Sequence, residues 1–383
     1  MKYRRKLLNY PRLYDVPGSD EYFFHAMREI TAFHITNNST YARIAQQENF
    51  NIESLSGMEA LHRIPPLPTL FFKKHTELSL PEKKMIIKAT TSGTSGEKSM
   101  VGLDVNTGLF ALKMVLRSFW NYRLISPVPT NYIILGYQPS KHNQTGISKT
   151  AFGFTFITPA LHREYALKDT GDSYKVDIEG LIKALIRYNK QGFPVRLMGL
   201  PAYHHMLLTT LKDRGIRFKL HPKSYLCLGG GWKQFYFEHA DKGELYNLAN
   251  EVLGIPESHC VDFFGAVEHP VLYCDCKNHH FHIPVYSRVI IRDVNNLEPL
   301  GYGVPGILNL LNPLMRSMPL HSIMTDDLAI LREGAECGCG NPAPYFELLG
   351  RAGLQDIKTC AAGAAQFLMN DALLPPANTL QGG

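Results

Sequence analysis

Apolar residues recur along the chain with two alternating periods. Stretches with apolar residues three and four positions apart, typical of amphipathic helices, alternate with short runs of β-branched and aromatic residues, typical of strands. The helical stretches are residues 19–36, 40–49, 106–122, 177–189, 202–214 and 233–253. The strand-like runs are residues 132–135, 195–198, 225–228 and 260–264. This order predicts an α/β fold with a layered, mostly parallel sheet that binds ligands at the carboxyl ends of its strands.

The pattern changes near residue 281, where strand-like runs follow one another at 288–293, 306–311 and 328–332. We therefore expect an α/β core over 1–280, a smaller β-rich subdomain over 281–349, and a hinge with a short C-terminal segment over 350–383. In the predicted helix 106–122, apolar residues at helical spacing predict a face that lies in the core. These residues are Leu109, Leu112, Val115, Leu116 and Phe119.

Composition limits the class of protein. Of 383 residues, 45% are hydrophobic and 19% charged, as in folded globular proteins. The net charge of +6 favours anionic substrates, and no basic stripe with interleaved aromatic residues indicates nucleic-acid binding. No run of about eighteen apolar residues predicts a membrane span, and no apolar stretch follows the charged N-terminus as in a signal peptide. We expect a cytoplasmic protein with reduced thiols, whose oligomeric state the sequence does not indicate.

A loop rich in serine, threonine and glycine follows the strand-like run Met85-Ile86-Ile87 and ends near Lys98. Glycines let backbone N–H groups close around phosphate oxygens, and a lysine adds a compact positive charge. The spacing differs from the Walker pattern. An ordinary polar turn is the alternative to a phosphate site. The predicted phosphate-binding residues are Ser92, Gly93, Thr94, Ser95, Gly96 and Lys98.

Four later segments have features of a nucleotide site. Gly229, Gly230 and Gly231 follow a predicted strand, where bare backbone can lie against an adenine ring. The other three segments are 261–268, with the sequence VDFFGAVE, then 323–327, IMTDD, and 350–358, GRAGLQDIK. Each segment alone is also consistent with a turn chosen for its local geometry.

These five segments, in this order, resemble the motifs of the AMP-forming adenylating superfamily, which includes the acyl-CoA ligases. The resemblance implies an adenylating-enzyme fold that uses ATP and Mg²⁺. It implies that Glu268 binds magnesium, that Asp327 accepts hydrogen bonds from the ribose, and that Arg351 contacts the ribose or a phosphate. The implied nucleotide-binding set also contains Gly229, Gly230, Gly231, Phe263, Phe264 and Gly265. The chain departs from the family pattern at Phe264, Val267 and Asp326, where tyrosine, threonine and glycine are usual.

The C-terminal part of the chain makes the resemblance more specific, from the superfamily to one family within it. General members of the superfamily follow the Gly-Arg hinge with a further domain that carries a catalytic lysine. Here only residues 352–383 follow, and they contain Cys360. In this respect the chain is similar to the acyl-protein synthetases of the bacterial luminescence fatty acid reductase system. Its segments 64–73 and 230–233 also resemble segments of that family. In that family a cysteine near the C-terminus takes the acyl group from the acyl-adenylate as a thioester.

This resemblance implies a carboxylic acid substrate, a fatty acid in particular, and a reductase or acyltransferase protein that accepts the acyl group. Nearby Lys358 and Arg351 would favour the thiolate form of Cys360, which is the nucleophilic form. The alternative for Cys360 is an inert thiol on an alanine-rich helix. The alternatives for the whole chain are a ligase that uses coenzyme A or a carrier protein, and a non-catalytic nucleotide-binding subunit. The second is disfavoured by four intact residues of the motifs: Lys98, Glu268, Asp327 and Arg351.

Two Cys-x-Cys pairs suggest a metal site. Thiolates and imidazoles brought together on tight turns are the ligands that tetrahedral zinc prefers. The predicted zinc ligands are Cys276, His282, Cys337 and Cys339, with Cys274 as a substitute. Relatives similar to phenylacetate-CoA ligase carry a structural metal in this region. The alternative is a set of uncoordinated thiols on turns.

Overall fold

Two seven-stranded sheets carry the fold of the described residues, which are 2–90, 100–140, 151–171, 173–230 and 242–351 of a computed structural model. The helices are α1 (Lys2–Leu8), α2 (Asp20–Asn37), α3 (Ser39–Gln47), α4 (Thr69–Lys74), α5 (Val105–Asn121), α6 (Ile178–Gln191), α7 (Pro201–Asp213) and α8 (Lys242–Leu253). The first strands are β1 (Leu67–Pro68), β2 (Met85–Thr90), β3 (Met100–Asp104), β4 (Thr130–Tyr137), β5 (Ala160–Asp169), β6 (Tyr174–Val176), β7 (Val195–Gly199) and β8 (Tyr225–Gly229). The later strands are β9 (Cys260–Ala266), β10 (His269–Cys274), β11 (Phe281–His282), β12 (Arg288–Arg292), β13 (Pro299–Leu300), β14 (Pro305–Leu311), β15 (Ser322–Arg332) and β16 (Tyr345–Arg351).

The first sheet is mostly parallel and has the strand order β10-β9-β8-β7-β4-β5-β6. Strands β5, β4, β7, β8 and β9 run parallel, and the edge strands β6 and β10 run antiparallel to their neighbours. Helices α6, α7 and α8 cover one face through a core that includes Leu185, Leu207 and Ala249, each 0% exposed. Apolar runs in the sequence therefore became strands that are buried on both faces, as in other α/β proteins. The predicted layered α/β fold is confirmed.

The second sheet is mainly antiparallel and has the order β11-β16-β15-β14-β12-β13, with β1 parallel to β15. Its core includes side chains of the N-terminal helices: Leu7, Phe23 and Met27 pack in one cluster with Ile291 and Leu308. The N-terminal helices thus pack on the β-rich part of the chain, although they precede the parallel sheet in sequence. The division at residue 280 stays a prediction.

Helix α5 corrects one prediction. Leu109, Leu112 and Leu116, which we expected in the core, are 58%, 55% and 40% exposed. Phe119, predicted with them, is 0% exposed, and Val115 is partly buried against the same cluster as Phe119. The helix also buries Met114, on an arc that packs against α1, the β2–β3 hairpin and β10. Since apolar residues occupy two arcs of this helix, their spacing alone does not show which arc is buried.

Helix α8 begins at Lys242 in the described part of the chain, whereas we predicted a helix over 233–253; residues 231–241 lie outside the described residues. Among the helices that the structure describes, none is both long and apolar enough to cross a membrane.

Gly199 at the end of β7 gives a test of the fold. Its φ of +139° is strained for other residues, and a Cβ there would clash with the carbonyl oxygen of Leu135 on β4. We expect Gly199→Ala to lower the free energy of unfolding by about 2 kcal/mol or more, measured by urea denaturation. Gly136→Ala is the matched control, because a Cβ at Gly136 meets nothing within 4 Å. Equal stability of the two variants would contradict this description of the strand end.

Candidate active site and metal centre

The carboxyl ends of β8 and β9 lie side by side at one edge of the parallel sheet. Gly229 of β8 is in register with Phe263 of β9, and Gly230 has a φ of +85° that favours glycine. A Cβ built on Gly229 would only just reach van der Waals contact with Phe263, so the backbone there is open to a flat ligand. The structure therefore places two of the three predicted adenine-binding glycines at the ligand-binding edge of the sheet.

The turn between β9 and β10 carries Glu268. Ala266 pairs with His269 across the hairpin, which leaves Val267 and Glu268 as the two connecting residues. Glu268 is 5% exposed. A carboxylate is costly to bury unless other groups or a cation compensate its charge.

His269 fixes the base of this turn, and its role was missed in the sequence because a buried polar network has no local pattern. Asn312 Nδ2 donates to His269 Nδ1 (3.1 Å), so Nε2 carries the proton and donates to Tyr273 Oη (3.0 Å). The tyrosine hydroxyl then donates to Ser287 Oγ (2.5 Å), which donates to the Leu311 carbonyl (2.9 Å). Burial lowers the pKa of His269 to about 3, so its ring is neutral and adds no positive charge beside Glu268.

The predicted phosphate loop connects β2 and β3. These strands form an antiparallel hairpin in which Thr90 pairs with Met100, and the loop 91–99 between them lies outside the described residues. Val101 anchors the hairpin in a cluster with Ile323 of β15, against which Val267 also packs. The Gly102 backbone N–H also lies 3.3 Å from Met318 Sδ. One apolar cluster therefore holds the base of the loop, the Glu268 turn and the beginning of the aspartate strand.

Strand β15 carries the predicted ribose ligand. Asp327 pairs in register with Arg351 of β16, and its backbone N–H donates to Thr325 Oγ1 (3.2 Å). The adjacent Asp326, which replaces the usual glycine, accepts a hydrogen bond from Thr69 Oγ1 (3.4 Å). Asp327 and the backbone of Arg351 are thus neighbours, and their contact with a nucleotide stays a prediction.

The two aromatic residues of β9 both pack inside the protein. Phe263 is 9% exposed and lies against Phe119, with ring centroids 5.5 Å apart. Phe264 is partly buried and lies edge-on to Phe346, at 5.5 Å. Their contact with a nucleotide, and that of the exposed Gly265, stays a prediction.

The four predicted zinc ligands come together: Cys276 lies on the turn between β10 and β11, His282 ends β11, and Cys337 and Cys339 lie between β15 and β16. Among the described residues, the donor atoms of Cys276, His282, Cys337 and Cys339 all lie within 4.8 Å of one another. The sulfur atoms of Cys276 and Cys337 are 3.5 Å apart, and Cys339 Sγ is 3.2 Å from His282 Nε2. Tetrahedral zinc with Zn–S bonds of about 2.3 Å separates its sulfur ligands by about 3.8 Å, so this donor set fits the ion.

Neighbouring groups set the orientation and the protonation of these four side chains. His282 Nδ1 donates to the Ala343 carbonyl (2.6 Å), which aims Nε2 at the thiols, and burial lowers the pKa of His282 so that the ring is neutral. Burial raises the pKa of Cys337 to about 12, so without a cation this thiol stays protonated. A bound metal would reverse that preference, because the thiolate is the ligand form.

Three other side chains near this centre have different roles. Cys274, named as a substitute ligand, is 1% exposed in the apolar core and is not in the cluster. His280, not foreseen from the sequence, places Nδ1 3.2 Å from Cys337 Sγ and stacks on Tyr345. His279 is held by Asp275 at 2.9 Å and by Glu257 at 3.0 Å.

Some predicted site residues lie outside the described residues. They are Ser92, Gly93, Thr94, Ser95, Gly96, Lys98, Gly231 and Cys360.

Solved structures with this fold are adenylating ligases. An open conformation of 2-hydroxyisobutyryl-CoA ligase, in complex with 2-HIB-AMP and CoA, aligns with a TM-score of 0.65 at 14% identity. The alignment covers 87% of this chain and 74% of the ligase. The same ligase in its thioesterification state aligns with a TM-score of 0.65 at 15% identity, over 87% and 68% of the two chains. These likenesses establish the adenylate-forming fold.

Sequence relatives give the family. The chain is 25% identical over 346 residues to a long-chain-fatty-acid–luciferin-component ligase of Vibrio harveyi, covering 87% of this chain and 85% of the relative. It is 24% identical over 359 residues to the ligase of that name from Aliivibrio fischeri, covering 90% and 88%. A family model described as "Acyl-protein synthetase, LuxE" matches residues 21–369. The chain therefore belongs to the LuxE family of acyl-protein synthetases, which are enzymes.

Proposed function

We propose that this enzyme activates a long-chain fatty acid with ATP to acyl-AMP and then transfers the acyl group to its own Cys360. One observation carries the adenylation step. A single apolar cluster contains Val101 beside the predicted phosphate loop, Val267 beside Glu268, and Ile323 at the beginning of the strand that carries Asp327. Three motifs far apart in sequence thus share one packing unit, as a common ligand requires.

In the first step an oxygen of the substrate carboxylate attacks the α-phosphorus of ATP, and pyrophosphate leaves. Ser92, Thr94, Ser95 and Lys98 hold the phosphates, where charge develops in the transition state. Asp327 accepts hydrogen bonds from the ribose.

Magnesium fits the Glu268 turn, because the carboxylate is a hard oxygen donor and the adjacent His269 is neutral. When bound there, the ion would offset the negative charge of the phosphoryl oxygens.

In the second step the Cys360 thiolate attacks the acyl carbonyl carbon, AMP leaves, and a thioester forms. The buried cysteines of the described residues are unsuited to this step. Burial raises the pKa of Cys227 to about 11 and also raises the pKa values of Cys260 and Cys274, so these thiols stay protonated. The acyl group then passes to a reductase or acyltransferase protein. The long-chain substrate rests on the names of the two ligases with which the chain aligns.

A second candidate function is transfer to coenzyme A or to a carrier protein, with Cys360 as a structural thiol. It is favoured by the CoA bound in the structural relative of the same fold. Both candidates share the adenylation site and differ only in the thiol that accepts the acyl group.

The metal centre has a structural role in this proposal. One zinc ion bound by Cys276, His282, Cys337 and Cys339 would join the β10–β11 turn to the β15–β16 turn. The set has four protein donors, as in structural rather than catalytic zinc sites.

We expect Lys98→Ala and Glu268→Ala each to reduce carboxylate-dependent ATP–pyrophosphate exchange by at least ~100-fold, because each removes a charged contact to the phosphates or to their metal. Lys88→Ala is the matched control: this lysine lies on the same hairpin but pairs with Glu82 at 2.6 Å. Its exchange rate should be unchanged, and circular dichroism should show all three variants folded. Near-normal exchange in the Lys98 or Glu268 variant would remove that residue from the site. A wild-type protein without any exchange would support a non-catalytic subunit instead.

We expect one zinc per chain in protein purified without a metal-binding tag, measured by elemental analysis. Cys337→Ser should lose the metal and lower the melting temperature, because binding contributes directly to folding stability. Cys274→Ala is the control and should keep the metal, since this thiol lies outside the donor set. Protein that is stable without any metal would contradict the proposed centre.

Incubation with ATP, magnesium and a fatty acid should give a thioester on the wild-type protein that hydroxylamine cleaves. Cys360→Ser should still form acyl-AMP but lose this thioester, because serine is far less ionised than cysteine. Cys227→Ala, which removes a buried thiol, should keep the thioester. If the wild type carries no acyl adduct yet turns over with coenzyme A or a carrier protein, the acceptor is external and Cys360 is structural.

A further inference from the structure

Basic residues are concentrated in two segments of the chain. Residues 1–14 and 105–163 contain eleven lysines and arginines and no aspartate or glutamate. The other 310 residues contain 29 lysines and arginines against 34 aspartates and glutamates. The positive net charge of the protein therefore comes entirely from these two acid-free segments, which contain helices α1 and α5.

The acid-free segments pack against each other. The Arg4 guanidinium lies 5.1 Å from the ring centroid of Phe110 on α5. Arg117 Nη2 donates to the Pro11 carbonyl (2.9 Å), and Lys113 Nζ donates to the side chain of Asn9. The described parts of the two segments thus lie side by side, with two acidic residues at their border: Asp15 pairs with Arg12 (2.6 Å), and Glu29 accepts from the Lys2 backbone N–H (3.0 Å).

This surface is also unusually apolar. Of the sixteen large apolar side chains that are exposed in the described part of the chain, eight lie between residues 105 and 163. Five of them form a row on one face of α5, which we call the apolar stripe: Val105, Leu109, Leu112, Leu116 and Trp120. They are between 40% and 75% exposed, and the row extends over about 22 Å of helix.

A groove continues the stripe towards the N-terminal segment. It encloses about 810 Å³ between Leu116 and Trp120 on one side and Pro11 and Arg12 on the other, with Lys113 also at its wall. Apolar and basic side chains therefore share this part of the surface, where the acidic side chain that lines the groove, Asp15, pairs with Arg12 at 2.6 Å.

We infer that the apolar stripe and the basic residues around it bind the surface of an anionic lipid bilayer. An exposed apolar patch on a helix with a basic flank is the pattern of interfacial helices, which insert their apolar face below the lipid headgroups. Tryptophan is favoured at that depth, and Trp120 is 75% exposed. Both segments lack acidic residues and the neighbouring Asp15 is paired with Arg12, so this surface has a net positive charge that attracts anionic headgroups. Binding does not depend on the proposed function, although it would bring such an enzyme to the membrane into which long-chain acids partition.

The test is co-sedimentation of the full chain with phosphatidylcholine vesicles, with and without one-quarter phosphatidylglycerol. We expect binding to the anionic vesicles that weakens as salt is raised, and weaker binding to the neutral vesicles. In a Trp232→Phe background Trp120 is the only tryptophan, and its fluorescence should shift to the blue on binding.

Two double variants separate the apolar from the electrostatic contribution. Leu112→Ser with Leu116→Ser should weaken binding to both kinds of vesicle by at least ~10-fold, because two exposed leucines no longer enter the lipid. Arg5→Gln with Lys113→Gln should lower the ratio of binding to anionic over neutral vesicles by at least ~10-fold, because each charge contributes about fivefold to that ratio. Ile186→Ser is the matched control: it removes an apolar residue that is 41% exposed on α6, and binding should be unchanged.

The two double variants and Ile186→Ser should keep the wild-type circular dichroism spectrum and pyrophosphate exchange with a water-soluble acid, which shows that only lipid binding has changed. The inference fails if the wild type does not sediment with anionic vesicles, or if the leucine variant binds them as well as the wild type does. It also fails if sedimentation velocity without lipid shows an oligomer that the leucine variant dissociates, since the stripe is then an interface between protein chains.

Discussion

Aromatic packing around Phe346 joins the two sheets, and the candidate site depends on this junction. Phe346 of β16 is 0% exposed and lies edge-on to Phe264 of β9 and Tyr273 of β10, with ring centroids 5.5 and 5.0 Å apart. Edge-to-face pairs fix the orientation of the strands that carry them. Glu268 comes from the parallel sheet and Asp327 from the antiparallel sheet, so the two carboxylates keep their relative position only while these rings stay packed.

The sequence predicted the features that depend on local pattern. Strands buried on both faces appear as short apolar runs, so β4 was found at residues 132–135 inside its actual bounds, Thr130–Tyr137. That Cys276, His282, Cys337 and Cys339 come together was predicted because two Cys-x-Cys pairs on tight turns are typical of zinc sites; Gly338 beside Cys337 has a φ of +69°, as in such a turn. The resemblance implied that Asp327 and Arg351 contact the same nucleotide; the structure pairs their backbones, and that contact stays a prediction.

Other features depend on long-range packing that no local pattern contains. The apolar spacing of α5 fits two arcs, and only contacts with α1 and β10 determine that Met114 is buried and Leu112 is not. The chain from Asn312 through His269 and Tyr273 to Ser287 joins residues up to 43 positions apart, and it was not foreseen. Likewise, the sequence gives no sign that the N-terminal helices pack on the second sheet rather than the first.

The pairing of β11 with β16 connects the candidate metal centre to the aromatic packing around Phe346. In the pairing of β11 with β16, Phe281 is opposite Phe346 and His282 is opposite Tyr345. Because successive side chains point to opposite faces of a strand, the phenylalanines enter the core while His282 turns to the thiols. A metal bound there would therefore hold the same two strands from the face opposite the aromatic cluster. Strand β16 then continues to Arg351, directly before the segment that carries Cys360, so whatever fixes the position of β16 also fixes where that segment begins.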